Sequence, residues 1–538
     1  MSIGRSSFWF AAGTLLSRFS GLARDSIVAG VFGASLAMDA FVVAFRIPNL
    51  LRDMLAEGAL SSSFTKVYSS LKQTEQERAA KLLSAFLVLT ALLGTTISVL
   101  GVVFAPSLVD LMTMSESGNA GSEMFRTNAV LLTRVLFPFI GMAMISSVLM
   151  GVLHQSGGFF LSGMSPLGQN LGYILGALVL APIAIRSYLP QDANVDVGIL
   201  ALSVGVLLGM IASLSLEWYG VGRIIMDAFT RFGGFKTLWS ADVRRVFTIM
   251  IPAAIAASAA PINLTISTNF ATSLPEGTIT SLNYAFRLLQ LPVGIFGVAI
   301  ASAALPALSR SLAQSKNHIN AQVSGEMQYA LELVCWLTVP CMMYLFVNHT
   351  YVIQLLFQHM SFNSDDAQQT GQALFCYSFG LVSYGLIKVL SSFYYAVERT
   401  SYAMYVSFAS IVVSALGNYL LVERFQHAGL ATTTSISLTF NSVALLFGLW
   451  AQNVQWNWKR LRKSGGILSV FCLVSLMVQI IAVLTFDHTY FTETKLNALM
   501  ILSVNAVSVG CVLLPCACWI TGMSPAQLLE IVRKRGRK

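Results

Sequence analysis

Of the 538 residues, 55% are hydrophobic and 11% charged, with mean hydropathy +0.70 and a formal net charge of +9. A soluble protein carries about a quarter charged residues, so an ordinary soluble fold is excluded, and so much apolar surface excludes disorder. The positive balance would suit a nucleic-acid partner, but its distribution along the chain excludes one.

Apolar runs of the length a bilayer requires, about 20 residues each, fall at 6–32, 34–58, 82–109, 129–153, 160–184, 198–220, 246–272, 279–308, 328–357, 369–396, 402–422, 428–452, 465–486 and 496–521. The expected fold is an all-α polytopic membrane protein of about fourteen transmembrane helices. No small-residue cleavage site follows the start, so the first run is expected to be a retained span. The second run is the least hydrophobic, and Pro48 should kink it.

Basic residues cluster in the loops after runs two (Lys66, Lys72, Arg78, Lys81), six (Arg223, Arg231, Lys236, Arg244, Arg245) and twelve (Lys459, Arg460, Arg462, Lys463), and in the tail. Intervening loops carry acids instead: Asp110, Glu116 and Glu123; Asp192 and Asp196; Glu276; Asp365 and Asp366. The positive-inside rule then places both termini in the cytoplasm. The basic balance is therefore topological.

A weak repeat runs through the chain at an offset of 241. Ala44-Phe45-Arg46 recurs as Ala285-Phe286-Arg287, Ser61 as Ser302, and Ser70-Leu71 as Ser311-Leu312. This suggests two six-helix lobes, 1–222 and 246–455, in parallel orientation. Between them 223–245 reads as an amphipathic cytoplasmic linker. Residues 456–521 hold two extra helices, whose apolar runs carry no charge, and 522–538 form a basic cytoplasmic tail.

Charges inside spans are informative, because each costs about 2.5–3.5 kcal/mol or more at a helix centre. Run one holds Arg18, Arg24 and Asp25, and run two holds Asp39, Arg46, Arg52, Asp53 and Glu57. Arg134, Arg287 and Lys388 lie in runs four, eight and ten. Asp39, Arg46 and Asp53 are seven apart, so in an α-helix each lies about 20° from the last; Glu57 continues that stripe, and Arg18 aligns with Asp25. For Arg18, Arg24, Asp39 and Arg287 a cavity role is expected. Arg52, Asp53, Glu57 and Lys388 fit either a cavity or a structural pairing, and Arg134 fits snorkelling. Seven positives against four acids in these spans leave three excess positive charges, which favours an anionic substrate, since guanidinium offers forked donors to phosphate oxygens.

Enzymatic signals are missing. No His-Glu-x-x-His, nucleophile elbow or phosphate-binding glycine loop is present. The seven cysteines lie in apolar segments without metal-ligand spacing. No catalytic residue, metal site or cofactor is expected.

The stretch 17–64, SRFSGLARDSIVAGVFGASLAMDAFVVAFRIPNLLRDMLAEGALSSSF, closely resembles the MurJ (MviN) lipid II flippase family, part of the multidrug/oligosaccharidyl-lipid/polysaccharide exporter superfamily. So do NYAFRLLQLPVGIFGVAIASAALPALSRS at 283–311 and the stretch from Leu356-Phe357-Gln358 to Lys388-Val389-Leu390. The resemblance implies two six-helix lobes around a central cavity in a bacterial cytoplasmic (inner) membrane protein. Lipid II, an undecaprenyl-pyrophosphate disaccharide-pentapeptide, would be flipped outward by alternating access during peptidoglycan biosynthesis. Cell-wall synthesis proteins would be possible partners.

Arg18, Arg24, Asp25, Asp39, Arg52, Glu57 and Arg287 match functionally important family positions. With Arg46, from the charged stripe, they form the expected substrate-binding set. The last two helices would line a groove for the isoprenoid tail among the membrane lipids. The sequence departs from the family at Phe286 and Gln290, where relatives carry acids, so the ion pair that the family resemblance implies for Arg287 within its own helix is in doubt. Family members that bind sodium use acids on helices seven and eleven, where this chain has only Asn263, Asn269 and Asn418. The membrane potential, at about 2.3 kcal/mol per charge per 100 mV, is the expected driving force. The competing reading is an exporter of drugs or of another polyprenyl-linked saccharide.

The loop charges generate a direct test. In a cysteine-free background, cysteines at Glu116 and Asp365 should label with an impermeant thiol reagent added outside, and cysteines at Lys72 and Arg460 should not. External labelling at the basic loops would contradict the fourteen-span topology.

Overall fold

A computed structural model describes residues 3–113, 120–187, 196–315, 319–397, 399–452, 454–487 and 498–510. Among these residues the secondary structure is entirely helical. Within the described residues each of the fourteen apolar runs is helical, several as two or more successive helices, and the last over 498–510. Among the described residues eight helices are individually long and apolar enough to cross a membrane, and Ser364–Ser378 with Leu381–Ala396, bent by 48°, meet the same test as a pair.

Departures from straight helices occur where the sequence weakens the ladder. Thr400–Ala451 runs for 52 residues, far longer than one span needs. It is broken at Gln426, whose φ of +48° is foreign to a helix, so it holds runs eleven and twelve. The second helix is α-helical over Leu36–Leu51 and π-helical over Arg52–Leu60, directly after the turn containing Pro48. It then continues as Ser61–Thr74, well past the expected end at 58. That extension is amphipathic: Phe64, Val67, Tyr68 and Leu71 are buried at helical spacing while Lys66 is exposed. Of the two other π turns among the described residues, Gly176–Leu180 and Val293–Gly297, the latter starts 241 residues after Arg52, at the offset of the sequence repeat.

The chain divides into two compact units, Met1–Thr280 with His359–Phe362, and Ser281–Gln358 with Asn363–Lys538. The stretch 223–245 supplies the end of Val197–Thr230, the 3-10 turn Phe235–Trp239 and the start of Ala241–Ala257.

In the first unit, helices approach through glycine. A Cβ on Gly172 would lie 2.3 Å from the Gly209 Cα, and one on Gly94 2.7 Å from the Gly141 Cα. Lipid tails are as apolar as leucine, so helix association rests on such close packing and on interhelical hydrogen bonds.

The second unit shows the hydrogen-bonded form of the same solution. Trp336 Nε1 donates to Ser464 Oγ at 2.7 Å, Asn348 Nδ2 to Gln479 Oε1 at 3.2 Å, and Asn505 Nδ2 to Asn348 Oδ1 at 2.6 Å. These buried bonds fasten Trp458–Asp487 and the 498–510 helix to Ala321–Phe357.

Adding one methyl at Gly172 should therefore destabilise the protein by about 1–3 kcal/mol through overpacking. Gly325→Ala, where nothing lies within 4 Å of the added carbon, should be neutral or stabilising by up to about 1 kcal/mol. Thermal unfolding in detergent distinguishes the two, and equal midpoints would contradict the glycine-packing account.

Candidate functional site

The charged residues of the first helix are organised around Arg24. Its Nε and Nη2 donate to Asp25 Oδ1 at 2.9 and 2.7 Å, and its Nη1 donates to Asn170 Oδ1 at 2.9 Å. The guanidinium also lies 4.7 Å from the centre of the Tyr173 ring. Both charged side chains are 13% exposed. Consecutive helical residues do not face each other, so this pairing depends on the length of the arginine side chain. Asn170 fixes the geometry from the neighbouring helix, donating to Ser17 O at 3.1 Å and Ser20 Oγ at 2.7 Å. These contacts use three of the five guanidinium N–H donors, and the remaining two suit an oxyanion. Arg18, one to two turns earlier, is half-buried and has no ion pair or hydrogen bond among the described residues.

Asp39 is 3% exposed and its carboxylate is fully engaged. Oδ2 accepts from Gly277 N at 2.7 Å; Oδ1 accepts from Thr280 N at 2.8 Å and Thr280 Oγ1 at 2.6 Å. These donors sit at the N-terminus of Thr278–Pro292, where a negative charge also meets the positive end of the helix dipole. The arrangement is reciprocal, because Glu276 Oε1 accepts from Leu36 N at 2.7 Å at the start of the second helix. Gly277 permits it, with φ +83° and no room for a Cβ, which would meet Ala34 O at 2.4 Å. Positions 39 and 280 are 241 apart, so equivalent positions of the repeat meet here. Substrate could reach Asp39 only if this cap opened.

The stripe expected along the second helix holds from Asp39 to Arg46, which is half-buried, and is lost beyond Leu51. The π turn replaces i→i+4 by i→i+5 bonding, so the α-helical angle no longer carries through to Asp53 and Glu57. Arg52 instead folds onto its neighbour, with Nη2 2.9 Å from Asp53 Oδ1. The Glu57 side chain lies outside the described residues.

In the second unit Arg287 is half-buried, and Phe286 packs against Tyr377 and Tyr384 at 5.4 and 6.2 Å. Lys388 lies 5.2 Å from the Tyr384 ring, and Arg134, in the first unit, is exposed. An apolar cavity of about 420 Å³ is lined by Leu288, Leu291, Tyr344, Leu345, Ala506 and Val509, so the last helix forms one of its walls.

Two intramembrane acids escaped the sequence reading, Glu217 in run six and Glu332 in run nine, although both fall inside the apolar boundaries. Counting them sets six acids against seven positives and reduces the excess from three charges to one. Glu332 Oε2 meets Arg460 Nε at 2.9 Å and Oε1 accepts from Gln328 Nε2 at 2.8 Å. Outside the spans, Arg126 holds the Asp110 carboxyl below the ordinary carboxylate range through a 2.7 Å bond.

Asp39→Asn keeps the shape of the cap but removes its charge and one acceptor oxygen. It should lower stability by about 1.5–3 kcal/mol, the range for hydrogen bonds to a charged group. Glu276→Gln, at an exposed bond, should cost less. Unchanged thermal unfolding of Asp39→Asn would contradict the capping role.

The family profile described as "Lipid II flippase MurJ" matches residues 28–502. The chain is 31% identical to "Lipid II flippase MurJ" of Burkholderia cenocepacia over 450 residues, covering 84% of each protein. It is 29% identical to "Probable lipid II flippase MurJ" of Vibrio cholerae, covering 86% of this chain and 87% of that one. Among solved structures, "Lipid II flippase MurJ, inward closed conformation" aligns with a TM-score of 0.75 at 22% identity, over 94% of this chain and 97% of that one. An inward-facing multidrug transporter of the MATE family aligns at 0.66 and 16% identity, over 81% and 94%, and like the former shows shared fold. With a profile match across most of its length and relatives of similar extent, the chain belongs to the lipid II flippase MurJ family.

Proposed function

We propose that this protein carries lipid II from the inner to the outer leaflet of the bacterial cytoplasmic membrane by alternating access, without covalent chemistry. The observation that carries this reading is Arg24: a nearly buried, oriented guanidinium inside a bilayer, paired with one carboxylate and retaining two donors. A pyrophosphate accepts such a fork well, and the half-buried Arg18 on the same helix adds positive charge. The apolar cavity beside the 498–510 helix is suited to a polyprenyl chain, whose burial follows the hydrophobic effect.

The reciprocal caps at Asp39 and Glu276 supply the element with two states. Closed, they satisfy two helix N-termini; opened, they release a carboxylate and several backbone donors to water or substrate. Both termini lie in the cytoplasm in this reading, so the basic loops face the compartment where lipid II is made. Cell-wall synthesis proteins would act on the flipped product.

Expression in a bacterial strain depleted of its own lipid II flippase tests the reading. The wild-type chain should restore growth. Arg24→Ala, Arg287→Ala and Asp39→Ala should each abolish rescue while still accumulating in the membrane. Full rescue by all three variants would contradict the assignment of these charges to transport.

A further inference from the structure

Glu217 is an intramembrane acid that the proposed lipid path leaves unused and that no cation pairs among the described residues. It is 0% exposed, and its two oxygens are treated differently. Oε1 accepts from Ser146 Oγ at 2.7 Å and Ser165 Oγ at 2.6 Å, whereas the buried Oε2 has no partner. The residue lines a cavity of about 230 Å³ within the first unit, shared with Arg52, Ser147, His154, Gln169 and Ser213.

The local sequence explains how an acid reaches this depth. Gly205, Gly209, Ser213 and Glu217 recur every four residues and share one stripe of Val197–Thr230. The glycines let that helix close onto Phe159–Leu175, and Ser213 Oγ then donates to Ser165 O at 2.8 Å. One turn further on, the same close contact brings Ser165 to the carboxylate. The glutamate is thus held by packing in a place where a leucine would satisfy the hydrophobic pattern without leaving a polar atom unpaired. An unpartnered buried carboxylate oxygen costs about 1–3 kcal/mol or more, so it points to a ligand.

We infer that Glu217 is a proton-carrying site, whose Oε2 takes up a proton from water and releases it during the conformational cycle. A metal cation fits less well. It would need several oxygen ligands with compensating negative charge, and Glu217 is the one carboxylate among the described residues lining this cavity. Besides Glu217, the charged and titratable groups lining the cavity are Arg52, paired with Asp53, and His154; the Arg52 guanidinium on the wall further disfavours a metal ion. A proton requires only the one open oxygen. Protonation converts the carboxylate to a neutral acid, with Oε1 still accepting both serine hydroxyls and the new O–H pointing into the cavity. The inference extends to transport only on the lipid II reading: neutralising Glu217 leaves the field of Arg52 undiminished for an anionic substrate.

The test is independent of lipid. Full-length protein in nanodiscs is titrated while the infrared band of a protonated carboxyl is followed, at constant sodium and then with sodium replaced by potassium. Wild type should show a component of that band that grows as pH falls, is indifferent to the cation, and is missing from the spectrum of Glu217→Gln, in which the other carboxyls remain. Ser146→Ala/Ser165→Ala keeps the acid but removes two donors that stabilise its ionised form. Its midpoint should move to higher pH, by about one unit or more. This variant also keeps the test intact if Glu217→Gln does not fold. Titration spectra unchanged by both substitutions would overturn the proposal, as would a band that responds to sodium at fixed pH. A normal titration in protein that fails to flip lipid II would overturn only the lipid reading.

Discussion

The structure depends on one constraint: a charge inside a bilayer must find its compensation inside the protein. Each acid resolved in the spans meets it in its own way. Asp25 takes two donors from Arg24, Asp39 takes three from the start of another helix, Asp53 pairs with Arg52, and Glu332 pairs with Arg460. Glu217 takes two serine hydroxyls on one oxygen and leaves the other open. Arg24 keeps two N–H donors beyond those given to Asp25 and Asn170, and such donors are what a carrier of anions needs. Full neutralisation would leave nothing for a pyrophosphate to bind.

The Asp39 cap adds a conformational dimension. A carboxylate that satisfies three donors is strong while in place and leaves several groups unsatisfied when withdrawn. Such a contact is suited to a latch between two states, because the released groups favour whatever anion or water replaces the carboxylate. In the proposed cycle the same residues hold the resting state and sense the load. This gives a physical reason for a charge at position 39 that the stripe argument alone, with its view of a cavity lining, did not supply.

The helices were legible in the sequence because a span needs little more than a long apolar run. The second helix shows where that legibility ends. Its apolar signal stops near residue 58, yet the amphipathic stripe of Phe64, Val67, Tyr68 and Leu71 carries the helix to Thr74. Its charged stripe assumed 3.6 residues per turn throughout, and the π turn at Arg52–Leu60 breaks that assumption. Nothing in composition marks a π turn, which here begins four residues after Pro48. The Arg24–Asn170 bond joins residues 146 apart and was likewise invisible, although Arg24 itself stood out by charge. Glu217 was visible as a charge in an apolar run, and its significance emerged only with Ser146 and Ser165 beside it.

The central claim is that the oriented guanidinium of Arg24 serves lipid II translocation, and reconstitution measures it most directly. Purified protein in lipid vesicles containing labelled lipid II is assayed by the rate at which the label in one leaflet becomes accessible from the other. The account predicts a protein-dependent rate that Arg24→Ala reduces to the level of protein-free vesicles. A rate equal to that of protein-free vesicles for the wild-type chain, or an undiminished rate for Arg24→Ala, would contradict it.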